Sequence, residues 1–104
     1  MNKRARKTAI PTKVKRAVWE RDGKCCIFCG RPGNPEAHII PRSHGGLGIE
    51  QNIVTVCREC HDLLDNSTER DKRLQIAKEY VRSFYPGWTE ESVIYNKWEG
   101  FKYV

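Results

Sequence analysis

At 104 residues the chain is long enough for a single domain with a modest core, and short enough to gain from a staple. No apolar run approaches the roughly 18 residues of a membrane-crossing helix, and the basic start Met1-Asn2-Lys3-Arg4-Ala5-Arg6-Lys7 lacks the apolar stretch of a signal peptide, which argues against a membrane protein and points to a reducing cytoplasm. The net charge of +6 sits at one end: residues 1–24 hold nine Lys or Arg against Glu20 and Asp22, while the remaining 80 residues hold ten basic and eleven acidic side chains. A basic arm on a neutral body favours a polyanionic partner, usually nucleic acid, with Lys3, Arg4, Arg6 and Lys7 as its contacts. A solubilising tail is the plain alternative. A helix lying on a membrane surface is disfavoured, because the arm has no aromatic or leucine face.

In chain order, residues 1–11 read as a disordered basic arm and 12–104 as one domain. Pro11-Thr12 starts a short helix over 13–21 with Val14, Ala17 and Val18 on one side, and Trp19 is expected to close over the first cysteine turn. Asp22-Gly23 ends that helix. Residues 24–33 form a first knuckle in which Gly30 lets the backbone fold around the thiols. Ala37-His38-Ile39-Ile40 is a short strand ended by Pro41, residues 42–52 a glycine-rich loop, and Ile53-Val54-Thr55-Val56 a β-branched second strand. A second knuckle over Cys57 to Cys60 leads into a helix ending near Asn66. Strand, loop, strand, knuckle and helix make a ββα unit over about 36–66.

Thr68 with Asp71 three residues on forms a capping-box signal for a helix to about Phe84, with Leu74, Ala77, Val81 and Phe84 at helical spacing beside Ile76 and Tyr80. Tyr85-Pro86-Gly87 stops it. Thr89 caps a last short helix holding Val93, Ile94 and Trp98 and ended by Gly100, so C-terminal helices occupy about 68–100. The aromatic residues Tyr80, Phe84, Tyr85, Trp88, Tyr95, Trp98 and Phe101 fall at core spacing and are expected to pack rather than to stack on bases. The fold class is α+β.

Two Cys-x-x-Cys pairs, Cys26/Cys29 and Cys57/Cys60, carry the strongest chemical signal. Such turns present two sulfurs each, and four thiolates satisfy a tetrahedral structural zinc. The 27 residues between Cys29 and Cys57 hold a complete hairpin, so the metal closes its base. A thioredoxin-like redox role needs one pair beside a βαβ unit and does not fit. With four cysteine ligands this zinc has no open position for catalysis. Cys25, the odd cysteine, reads as a small residue beside the knuckle.

A second constellation lies around the same hairpin. His61 and Asp65, four residues apart on a helix, project from one face and suit a divalent ion; as isolated residues they are equally a surface pair. His38 alone is a packed strand histidine, and Asn52 alone a turn residue. Their combination over one ββα unit carries the inference.

With these residues in place the sequence resembles the HNH endonuclease family in its zinc-knuckled, ββα-metal (His-Me finger) form. The resemblance rests on Cys26-Ile27-Phe28-Cys29-Gly30, on Ala37-His38-Ile39-Ile40-Pro41-Arg42-Ser43-His44-Gly45-Gly46, and on Asn52-Ile53-Val54-Thr55-Val56-Cys57-Arg58-Glu59-Cys60-His61. It covers about 12–65 and extends more loosely to Tyr85-Pro86-Gly87-Trp88, which is similar to small phage-encoded members. The resemblance implies His38 as the base that activates water, Asn52 as the residue pinning the loop, and His61 as ligand of a catalytic ion, Mg²⁺, Mn²⁺ or another divalent metal. Asp65 stands where some members carry a further ligand. Each role has a physical need: a neutral imidazole takes a proton near neutral pH, a cation stabilises the leaving 3′ oxygen, and a buried amide orients the base.

One departure stands out. Most members carry Asp or His before the catalytic histidine as a metal ligand, and this chain has Ala37. Either His61, Asp65, water and substrate hold the ion, or His38 becomes a ligand and His44 the base; the rigid strand position favours His38 as base. Arg42 beside Pro41 suits a phosphate contact, with solvated charge as the alternative.

The expected function is a metal-dependent endonuclease hydrolysing DNA phosphodiesters to 5′-phosphate and 3′-hydroxyl ends. The alternative is a non-catalytic zinc module binding nucleic acid or a partner, with Ala37 marking a decayed site; a purely structural zinc protein is weaker still. The resemblance further implies a bacterial-host cytoplasm and a place beside a phage terminase or packaging machinery.

Overall fold

The structure, a computed structural model, describes residues 2–66 and 68–96. Its centre is a two-stranded antiparallel hairpin, β1 (Asn34–His38) and β2 (Ile53–Val56). Ala37 pairs with Val54 and His38 with Ile53, whereas Asn34 pairs with Val56, so β1 carries a bulge between Asn34 and Ala37. β2 is buried along its whole length because it is covered on both faces. Val54, Val56 and Ala37 face a core with Leu64, Ala77, Val81, Trp88 and Val93. Ile53 turns the other way, onto Val14 and Val18. Burying each such Val or Ile contributes roughly 1.5–3 kcal/mol, so both faces hold the hairpin.

The element on that second face is α2 (Thr12–Arg21), opened after Pro11 and one residue longer than the spacing suggested. Its end supplies a buried ion pair. Arg21 Nε donates to Asp22 Oδ1 at 2.8 Å, with the two side chains only 9% and 0% exposed. Arg21 also donates to the Glu50 and Ile53 carbonyls, both at 2.8 Å. Asp22 accepts from the Thr55 amide at 2.8 Å and from the Tyr80 hydroxyl at 2.7 Å. The pair joins α2, β2 and α4 (Arg70–Phe84) in one network, and burial together with the Asp22 hydrogen bond pushes the Tyr80 phenol up to about 12. Breaking one member of such a pair costs about 3–5 kcal/mol, because a buried charge is left alone.

α3 (Arg58–Asn66) follows β2 as expected. α4 begins at Arg70 with Glu69 at its N-cap and no side-chain cap bond, so the Thr68–Asp71 box does not form. It stops at Tyr85, and Gly87 takes the positive φ of +87° that the turn requires. Trp88 is buried and donates to the Gln51 carbonyl at 2.7 Å. Beyond it a single 3₁₀ turn, Glu91–Val93, replaces the start of the expected last helix; Trp98, Gly100 and Phe101 lie outside the described residues. Among the other aromatic residues expected to pack, Phe84 is 46% exposed but stands edge-on to Tyr80 with their ring centroids 5.1 Å apart.

β1 ends at His38 and not at Ile40, because the chain turns into the loop before Pro41, and two further expectations are corrected. Trp19 is 36% exposed under the Lys24 ammonium, 5.0 Å from its ring, and borders a groove with Gly33, Asn34 and Pro35, so it does not close over the cysteines. Instead Ile27 and Phe28 pack against the core that contains Cys26, Cys57 and Cys60. The second correction concerns the basic arm, which is helical over α1 (Lys3–Thr8). The Asn2 side chain caps it by accepting from the Ala5 amide at 2.7 Å. Six residues do not sustain a helix alone, and long-range bonds hold this one. Arg4 Nη2 donates to the Arg42 and Ser43 carbonyls at 3.2 and 3.0 Å. Arg42 answers with donations to the Ala5 carbonyl and the Thr8 hydroxyl, each at 3.3 Å. Gly48 closes the docking: its amide donates to the Lys7 carbonyl at 3.0 Å, and a Cβ there would stand 1.9 Å from the Ala9 oxygen.

Candidate active site and metal centre

The four cysteines converge where the two knuckles meet, at the base of the hairpin. One potential ligand atom from each of Cys26, Cys29, Cys57 and Cys60 lies within 4.8 Å of the others. Cys29 Sγ and Cys57 Sγ are 3.5 Å apart, close to the roughly 3.8 Å separation of sulfurs around a tetrahedral zinc. The turns are built for this. Gly30 at φ +79° returns its amide to the Cys26 carbonyl at 3.0 Å, and the His61 amide donates to the Cys57 carbonyl at 2.9 Å. Burial and the neighbouring Cys57 and Cys26 thiols push Cys60 up to about 12. Cys26 is lowered to about 7: burial opposes its thiolate, but backbone groups of Cys57, Cys29 and Phe28 outweigh that. Four thiols this close ionise together only around a cation, so the donor set fits zinc. Cys25 stands apart, free and half-buried, with a backbone bridge to Pro32.

Asn52 is fully buried and occupies the neck of the loop between the strands. Its Oδ1 accepts from the Ile40 amide at 2.9 Å, and its Nδ2 donates to the Ile40 and Leu47 carbonyls at 3.2 and 2.9 Å. A Cβ on Gly46 would lie 1.7 Å from the Ile40 oxygen, which is why this loop passes Asn52 with glycine. The loop itself is two 3₁₀ turns, Arg42–His44 and Glu50–Asn52.

His38 ends β1 on the same face as Ile53, the side covered by α2. It is half-buried in a cleft of about 280 Å³ with Ala9, Ile10, Lys15, Glu36 and Arg42. Its Nε2 lies 2.8 Å from the Thr8 carbonyl oxygen. The pKa is held below the ordinary 6.5, chiefly by burial and further by the charges of Arg42 and His61; the Thr8 carbonyl pulls the other way. His38 is therefore neutral at physiological pH.

His61 and Asp65 meet on the exposed side of α3, Nε2 to Oδ2 3.7 Å, with 36% and 65% of the side chains exposed. The structure thus brings His38, Arg42 and Asn52 around one loop and His61 with Asp65 on the helix. Ala37 is 1% exposed in the core and offers no ligand, and His44 is exposed on its 3₁₀ turn. Sequence reasoning missed Thr8, Lys15 and the Gly48 contact at this cleft. Only the spacing of Gly46 and Gly48 signalled a close approach, and it did not say to what.

A knuckle-stapled ββα hairpin with a neutral histidine at the strand end and a His–Asp pair on the helix defines a class of small α+β metal-site domains. Residues 26–76, close to half of the chain, match the family model described as HNH endonuclease, so this stretch is similar to an HNH endonuclease domain. A comparison with curated proteins found no significant match. The family points to nuclease-type function and to DNA as the substrate class. Among the described residues no helix is long and apolar enough to cross a membrane.

Proposed function

We propose that this chain is a metal-dependent DNA endonuclease in which His38 removes a proton from the attacking water, while His61 and Asp65 hold a divalent ion, Mg²⁺ or Mn²⁺, that stabilises the leaving 3′ oxygen. The observation that carries the reading is His38 itself. It is a neutral imidazole on a strand end, lining a cleft with Arg42 and the Lys15–Glu36 ion pair, where a phosphodiester finds a base beside the Arg42 cation. Asn52 fixes the loop that presents Arg42, and zinc on Cys26, Cys29, Cys57 and Cys60 fixes the hairpin against α3. The exposed Lys3, Arg6 and Lys7 on α1 extend the positive surface along a DNA backbone. Cytoplasmic residence and a role beside genome packaging rest on the family resemblance alone.

The competing reading is a zinc module that binds nucleic acid without cutting it. It is favoured by Ala37, whose methyl sits in the core where many relatives present a ligand. Incubating supercoiled plasmid with the zinc-loaded chain separates the two. Nicking that requires added Mg²⁺ or Mn²⁺ and is lost in His38→Ala supports the nuclease. Plasmid binding without nicking under any divalent metal supports the module.

A further inference from the structure

We infer that Thr8, on a segment outside the matched family span, is a positioning residue for His38: its main-chain carbonyl selects the tautomer of the base. The inference rests on the reading of His38 as general base. A carbonyl oxygen only accepts, so at 2.8 Å it requires His38 Nε2 to carry the proton. In the neutral ring that leaves the lone pair on Nδ1, which is the nitrogen that takes the proton from water. The hydroxide so formed attacks phosphorus, the bond to the 3′ oxygen breaks and that oxygen takes a proton from solvent, and the imidazolium returns its Nδ1 proton to solvent at the end of the turnover. While the ring is charged, the Nε2–H to Thr8 bond becomes charge-assisted and strengthens, so the contact favours the state in which the proton has moved.

The contacts that dock α1 also hold this carbonyl in place. Thr8 is 3% exposed, and its hydroxyl donates to the Arg4 carbonyl at 3.0 Å and accepts from Arg42 Nε at 3.3 Å. The Ala9 amide returns to the Ala5 carbonyl at 3.1 Å, and Gly48 lies against Ala9 with room for no side chain. Residues 2–10, read as part of an electrostatic arm, therefore complete the proposed site.

The test uses the full, zinc-loaded chain with nitrogen-15 labelled histidine. Ring nitrogen spectra should show His38 as the Nε2–H tautomer; an Nδ1–H ring would overturn the proposal. Two variants then loosen the contact. Gly48→Ala places a methyl against the Ala9 oxygen. An ester in place of the 8–9 amide, introduced by joining a synthetic 1–24 segment to Cys25, makes the Thr8 carbonyl a weaker acceptor, removes the Ala9 amide proton that bonds the Ala5 carbonyl, and keeps every side chain. Each should shift His38 toward a mixture of tautomers and lower kcat about tenfold, with KM within about twofold. The ester chain decides the matter should Gly48→Ala fail to fold. If His38→Ala abolishes nicking but the ester chain keeps both tautomer and kcat, Thr8 has no positioning role. If His38→Ala is fully active, the base assignment beneath it fails instead.

Discussion

Helix α3 carries the last thiol of one donor set and both groups of another, and the two sets differ in every physical respect. The cysteine ligand atoms crowd within 4.8 Å at the base of the hairpin, three of the four residues are buried, and their backbones are tied into the turns. One residue on from Cys60, His61 shares a 3.7 Å contact with Asp65, both partly open to water and neither tied to the hairpin by a hydrogen bond among the described residues. A closed tetrahedron contributes its binding energy to the fold and leaves no position for a substrate. An open two-donor face binds weakly, and oxygens of water and phosphate complete its coordination. The comparison teaches that the staple and the proposed ion site are separable although they are adjacent in sequence.

The heaviest blow falls on the staple. Cys57→Ser or Cys60→Ser should abolish zinc binding and much of the fold, since a structural zinc contributes apparent energies of about 10–16 kcal/mol. Metal analysis and thermal melting read this directly. Cys25→Ser should change neither, and a folded, zinc-free Cys57→Ser chain would dismiss the staple.

His38→Ala should leave zinc content and melting temperature in place and reduce plasmid nicking by about 10²–10⁴-fold, the range of general-base catalysis. The pH profile sharpens the point. A base works only when neutral, and burial holds His38 below the ordinary 6.5. Nicking should therefore fall as pH drops through a midpoint under 6.5 and level off above it, and that limb should be absent from the mutant's residual rate.

On the open face, His61→Ala and Asp65→Ala should raise the Mg²⁺ or Mn²⁺ concentration for half-maximal nicking by about tenfold or more, with zinc untouched. An unchanged metal requirement in Asp65→Ala would remove it from the ion site.

The smallest effect belongs to the arm. Lys3, Arg6 and Lys7 are exposed, whereas Arg4 is committed to the Arg42 and Ser43 carbonyls. Replacing the three exposed residues by Ala should lessen the slope of log affinity against log salt by up to about 0.9 per lost phosphate contact, with kcat retained. A large fall in kcat would mean that docking of α1 had been disturbed as well.

What was legible in the sequence was local. The two Cys-x-x-Cys turns, the β-branched run 53–56, α3 and the stop at Pro86-Gly87 depend on neighbours a few residues away, and the structure has each where its pattern put it. Asn52, singled out by its motif position, makes three bonds across the loop. What was not legible is long-range. Arg4 with Arg42, Thr8 with His38 and Arg21 with Glu50 and Ile53 span some 30 to 40 residues, and no periodicity marks them. A run of charge looks solvated until its carbonyl partners are known, and Asp22-Gly23 looks like an ordinary turn until Thr55 and Tyr80 are found on the carboxylate.

The bulge in β1 has a consequence of parity. With one residue more than β2 between Asn34 and Ala37, the strand changes phase, and it is this odd count that sends the methyl at 37 toward Val54 and the imidazole at 38 outward beside Ile53. Inserting two residues into this stretch preserves the arrangement. Inserting or removing one either inverts it, turning His38 into the core, or breaks the pairing of Asn34 with Val56. The placement of the His38 ring is thus guarded by whether a number is odd or even, a property that no single side chain there reveals.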